Sequence, residues 1–96
     1  MLTINDVKNF IRVDTEADDN LIYALMDASE SYMEGAVDNY TATYENADAR
    51  WQAKADLARK LLIADWYENR EAVERPISPS IRLLLAQLQL EGVNHG

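Results

Sequence analysis

Apolar residues recur along this chain at helical spacing, in segments separated by short polar breaks. Leu2 to Phe10 reads as a first short helix, with Val7, Phe10 and Ile11 on one face. Thr3 is placed to cap it, and Asp6 to reach back as in a capping box. Leu2 and Val7 then occupy the two positions of a hydrophobic staple. After the break at Arg12-Val13-Asp14, a second helix is predicted with Thr15 as its cap and Glu16, Asp18 and Asp19 in its first turn. Leu21, Leu25, Ala28 and Tyr32 form its stripe, flanked by Ile22, Met26, Ser29 and Met33. Asp27, Glu30 and Glu34 face outward, and Gly35 or the Val37-Asp38-Asn39 stretch ends it.

The stretch from Asn39 to Asp48 breaks the period. Its Tyr, Thr and Asn content suits a loop or a short hairpin, and the pattern does not choose between them. A long third helix follows, from about Ala47 to Glu71. Trp51, Ala55, Ala58, Leu62 and Trp66 make its stripe, and the two alanines allow a neighbouring helix close. Tyr67 sits at the stripe's edge, with its hydroxyl expected in water. Glu68, Arg70, Glu71, Glu74 and Arg75 are expected on the solvent side. Ser78 and Pro79, just beyond Pro76, start a last helix. Ile81, Leu84, Leu85 and Leu88 bury one of its faces, and Gly92 is expected to stop it. The predicted fold is all-α: a single domain over residues 1–96, a small bundle of about four helices with one irregular loop or short hairpin between the second and third. A flexible tail covers about residues 91–96. The core residues predicted to hold it are Leu21, Leu25, Tyr32, Trp51, Leu62, Trp66, Leu84 and Leu88.

Charge changes this picture most. Residues 1–48 carry eleven Asp or Glu and two Lys or Arg, a net of −9, whereas residues 49–96 carry six and seven, a net of +1. An acidic half repels phosphate backbones and argues against sequence-specific DNA binding. The last helix, whose basic residue is Arg82, makes a poor recognition helix. A solvated acidic surface that maintains solubility explains much of this charge. No cysteine is present, which removes disulfides, thiolate zinc sites and a cysteine nucleophile, and fits a reducing cytoplasm. No basic leader and no apolar run of membrane-spanning length is visible.

Candidate chemistry is sparse. The acids from Asp14 to Asp19 resemble the start of a calcium loop, but the sixth position is Asp19 instead of glycine and the twelfth is Leu25 instead of glutamate. The lone His95 lies one residue from the end, where a general base has no fixed geometry. Neither a phosphate-binding glycine loop nor a nucleophile elbow occurs. Asp65, close to an apolar stripe, is better explained by a structural bond to Arg59 or Arg82 than by catalysis. No enzyme activity, cofactor or metal is expected. Tyr40 and Tyr44 have least to do in a monomer core. They suit an interface, or equally the packing of their loop on its own helices.

The order of these signals resembles the small head–tail connector (head-completion, or DNA-packaging adaptor) proteins of tailed bacteriophages. The opening MLTINDVKNFIRVDTEADDNLIYALMDASESYME carries the resemblance, together with LLIADWYENREAV followed by ISPSIRLLLAQL. It spans nearly the whole chain apart from about residues 36–50. The resemblance implies a structural adaptor of the virion head–tail junction, present in the host cytoplasm during assembly. Copies of it form a ring, usually twelvefold, beneath the portal protein. The ring extends the DNA channel and docks a downstream tail or stopper protein, and DNA passes without sequence-specific binding. Some relatives hold the portal with a longer C-terminal arm than the one that ends here at Gly96. On this reading Asp27, Glu30 and Glu34 lie at or near the lumen, and the segment 38–50, with Tyr40 and Tyr44, reaches a neighbour or protrudes into the pore. The competing reading is a small acidic helical binding or inhibitor protein for a basic partner.

Overall fold

A computed structural model describes the backbone of residues 1–69 and 77–95, and the side chains of residues 1–69 and 77–92. Arg70, Glu71, Glu74, Arg75, Pro76 and the His95 side chain, named above, lie outside the described residues. The described chain is all-α, with five helices: α1 (Ile4–Ile11), α2 (Asp19–Ala36), α3 (Tyr40–Asn46), α4 (Ala49–Glu68) and α5 (Pro79–His95). That is one more than the period predicted. The segment left open as loop or hairpin is neither; it is α3.

The start of α1 follows its sequence closely. Thr3 Oγ1 accepts the Asp6 N–H at 3.2 Å while an Asp6 carboxylate oxygen accepts the Thr3 N–H at 3.0 Å. These bonds hold the Asp6 carboxyl below its ordinary value. Leu2 and Val7, the staple pair, are both buried in one cluster. The helix ends where Arg12 turns left-handed (φ 61°) and its N–H bonds to the Lys8 carbonyl.

The start of α2 departs from expectation. Thr15 does not cap it; the helix begins at Asp19, and Asp18 makes no side-chain cap bond. The acids are used elsewhere: Asp18 accepts the Tyr67 hydroxyl, and Asp19 pairs with Lys8 at 2.8 Å. Tyr67 is half-buried, and its hydroxyl is bonded across to the start of α2. The buried line on α2 is Ile22, Ser29 and Met33, one residue on from the stripe centred on Leu21, Leu25 and Tyr32, which are half-buried. Gly35 does not end the helix, which runs to Ala36 with Val37 as its cap.

Helix α4 is the centre of the fold, packed against α1, α2, α3 and α5. Asp48 caps it by accepting the Trp51 N–H at 2.9 Å. Trp51, Ala55, Ala58 and Leu62 are buried, as is Ile63, while Trp66 is half-buried against Tyr32 in an edge-on contact at 6.2 Å. Helix α5 starts with Pro79 in place and Ser78 Oγ accepting the Ile81 N–H at 3.3 Å. Ile81, Leu85 and Leu88 are buried and Leu84 is half-buried. The helix does not stop at Gly92 but continues to His95, across part of the region expected as a tail. A Cβ on Gly92 would meet Thr43 Cγ2 at 3.4 Å and Trp51 Cζ2 at 3.8 Å, so the glycine sits where α5 passes close to α3 and α4.

Two apolar clusters result. The larger joins Met33, Val37, Tyr40, Trp51, Ala55, Ala58 and Leu62 to the buried face of α5. The smaller joins Leu2, Val7, Ile22 and Ile63, and seats α1 on α2 and α4.

Candidate functional site

The segment between α2 and α4 is rich in Tyr, Thr and Asn, residues with modest helix propensity. It folds as a helix because its two tyrosines stand one turn apart, and both rings find Trp51. Tyr40 lies 6.1 Å from the indole and Tyr44 6.4 Å, with 6.0 Å between the tyrosine rings. Asn39, in the left-handed conformation (φ 56°), turns the chain out of α2 so that this can happen. Tyr40 is 5% exposed and belongs to this chain's own core. Tyr44 is half-buried, and its hydroxyl donates to the Asp56 carboxylate at 3.0 Å.

Placed this way, α3 stands off α2 and leaves a cleft of about 410 Å³ between them. Tyr23, Met26, Asp27 and Glu30 of α2 form one wall, and Tyr40, Thr41, Tyr44 and Glu45 of α3 form the other. Gln52 and Arg59 of α4 complete it, with Met1 and Leu2 at one end. Asp27, Glu30 and Glu45 are exposed and make no ion pair among the described residues. Arg59, 9% exposed, faces inward: its Nε donates to Ser29 Oγ at 3.0 Å and its guanidinium to the Met26 carbonyl at 2.9 Å. Ser29 Oγ donates to that same carbonyl at 2.8 Å, and Gln52 Nε2 donates to the Tyr44 carbonyl at 2.7 Å. Burial raises both cleft tyrosines to about 12, helped at Tyr44 by the Asp56 bond. Both phenols stay neutral far above physiological pH, so they serve as amphipathic contact surfaces and not as acids or bases. Among the described residues no group of His, Cys, Asp or Glu is arranged to hold a metal ion.

The structure thus brings together four of the five surface residues singled out in the sequence. Asp27, Glu30, Tyr40 and Tyr44 line one cleft; Glu34 is exposed on α2 but is not part of it. Tyr40 lines the cleft although its side chain is buried. Among the lining residues not anticipated are Tyr23, Glu45, Gln52 and Arg59. Arg59 had one available signal, a basic residue next to Ala58 on the face that the stripe marks as buried. Asp65, the acid close to an apolar stripe, accepts the Asn69 side-chain amide at 3.2 Å, while Arg59 turns to α2.

A family profile described as phage gp6-like head-tail connector protein matches residues 1–81. The chain belongs to that family. The match takes in α1 to α4 and the whole cleft, and stops just inside α5. No curated protein and no solved structure matches. As a head–tail connector, this protein has a structural role at the phage head–tail junction, and its family is not an enzymatic one. Among the described residues no helix of this connector is long and apolar enough to cross a membrane.

Proposed function

We propose that this connector assembles as a ring of copies beneath the portal vertex of the filled capsid. The ring extends the DNA channel and presents a docking surface for a tail or stopper protein. The family match across residues 1–81 carries this reading. The exposed carboxylate of Glu34 on α2, outside the cleft, and the net charge of −9 over residues 1–48 support it: a lumen wall of one negative sign lets DNA pass without adhering. Tyr40 and Tyr44 contribute to the contact between copies through the cleft wall they build. Since Tyr40 is also core, replacing both tyrosines acts on the fold as well as on assembly.

The acid-rimmed cleft also favours a second reading, in which a monomer captures a basic segment of another protein. Solution mass by light scattering, with negative-stain images of any large species, separates the two. A closed ring of about a dozen copies supports the connector ring. A monomer that also fails to co-sediment with portal-bearing, DNA-filled capsids overturns it.

A further inference from the structure

Two surfaces of this molecule are unfinished, and they lie on different elements. One is the cleft between α2 and α3, with apolar walls from Met26, Tyr23 and Tyr44 under the exposed carboxylates of Asp27, Glu30 and Glu45. The other is the outer face of α5. Ile81, Leu85 and Leu88 turn inward, which leaves Leu83 and Leu90 64% and 67% exposed. These two leucines are seven residues apart, so they stand about 10 Å apart on one stripe, two turns along the helix. Arg82 is exposed beside Leu83 and makes no ion pair among the described residues, whereas the acid of this helix, Glu91, is already bound to Lys54 at 2.6 Å. Among the described residues the stripe is therefore apolar with one positive charge outside any ion pair, and the cleft is apolar with negative charges outside any ion pair.

We infer that the outer face of α5 of one copy docks into the α2–α3 cleft of the next. The inference rests on the ring reading and assigns its contact. Leu83 and Leu90 cover the apolar wall, and Arg82 meets the carboxylate rim at Asp27 and Glu30. Such a contact joins two different surfaces, so each copy keeps one of each open, and repetition closes a ring if the rotation allows. The charge asymmetry of the chain, −9 over residues 1–48 and +1 over residues 49–96, has the sign that a head-to-tail contact needs.

Two variants test it, each altered only at exposed positions and each checked for unchanged helicity: Asp27→Lys with Glu30→Lys in the cleft, and Leu83→Ser with Leu90→Ser on α5. Sedimentation of the full chain over a rising concentration series is the readout. Wild type should self-associate, and each variant alone should weaken that association roughly tenfold or more. An equal mixture should form a dimer and stop there, because each pair retains one intact cleft and one intact α5. Self-association kept by either variant overturns the pairing and leaves the ring reading standing. Loss in the leucine variant alone marks a symmetric α5 pair and overturns it too. A wild type that stays monomeric throughout also overturns it; the ring reading is then judged separately by binding to portal-bearing capsids.

Discussion

The cluster beneath α5 is aromatic and hydrogen-bonded, whereas the cluster beneath α1 is aliphatic and tied at its rim by polar pairs. In the first, Trp51 packs on Tyr40 and Tyr44 and donates its indole N–H to the Leu88 carbonyl at 3.2 Å. Gln89 accepts the Asp38 N–H at 2.8 Å and closes the same side. In the second, Leu2, Val7, Ile22 and Ile63 meet without a polar atom among them. Their neighbours Tyr67–Asp18 and Lys8–Asp19 hold the edge. The difference separates two kinds of work. The aromatic cluster fixes directions, and so shapes the cleft wall and seats α5. The aliphatic cluster supplies area and holds one short helix.

Breaking each centre should show this division. Trp51→Ala has the largest expected effect, a loss of about 4 kcal/mol, and Ile63→Ala should lose about 3 kcal/mol. Urea midpoints measure the size, and amide exchange locates it. Trp51→Ala should expose the amides of α5 first, and Ile63→Ala those of α1. If both variants open the same helices in the same order, the two clusters are one unit.

Alkaline pH should act on the aromatic cluster. Tyr40 and Tyr44 are both raised to about 12 in the folded protein, mainly by burial, against about 10 unfolded. Between these values the native state holds protons that the unfolded chain has released, so stability falls as pH rises. The contribution is fully present below pH 10 and gone above about 12. Urea midpoints followed from pH 9 to 12 should drop, and Tyr44→Phe should drop less steeply because one titrating group is removed. A slope unchanged in that variant would detach Tyr44 from the effect.

The smallest change sharpens the α1 side. Arg12 ends α1 with φ 61°, a conformation that costs a side chain with a Cβ and suits glycine. Arg12→Gly should raise stability by about 0.5–1 kcal/mol, seen as a higher melting temperature. A decrease would mean that the Arg12 side chain contributes more than its backbone loses.

Local signals were legible wherever one short stretch decides the structure. The Thr3–Asp6 box, the Leu2–Val7 staple, the Ser78–Pro79 start and the Trp51–Ala55–Ala58–Leu62 stripe all carry their cause within a few residues. What was not legible depends on distant partners. Helix α3 exists because of Trp51, which its own sequence does not contain. Asp18 and Asp19 read as a first helical turn, yet Tyr67 and Lys8 draw them into tertiary bonds. Ser29 reads as one flank of the α2 stripe, and only Arg59, thirty residues on, explains its burial. The cleft inherits this opacity. Its acids and tyrosines could be singled out one by one, but their meeting needs α3, and α3 could not be foreseen.

The Arg59–Ser29–Met26 triangle has a consequence for how α4 can lie along α2. Apolar contacts between helices tolerate sliding, because a stripe of alanines and leucines presents much the same surface one turn up or down. A shift of one turn, about 5.4 Å, would preserve most of that contact. It would also move a guanidinium away from its hydroxyl and carbonyl and leave it buried without acceptors, a costlier change than the lost packing. The triangle thus acts as an axial lock that selects one register among several of similar apolar area. In an assembly that repeats one subunit many times, a subunit with a single register gives every interface the same geometry.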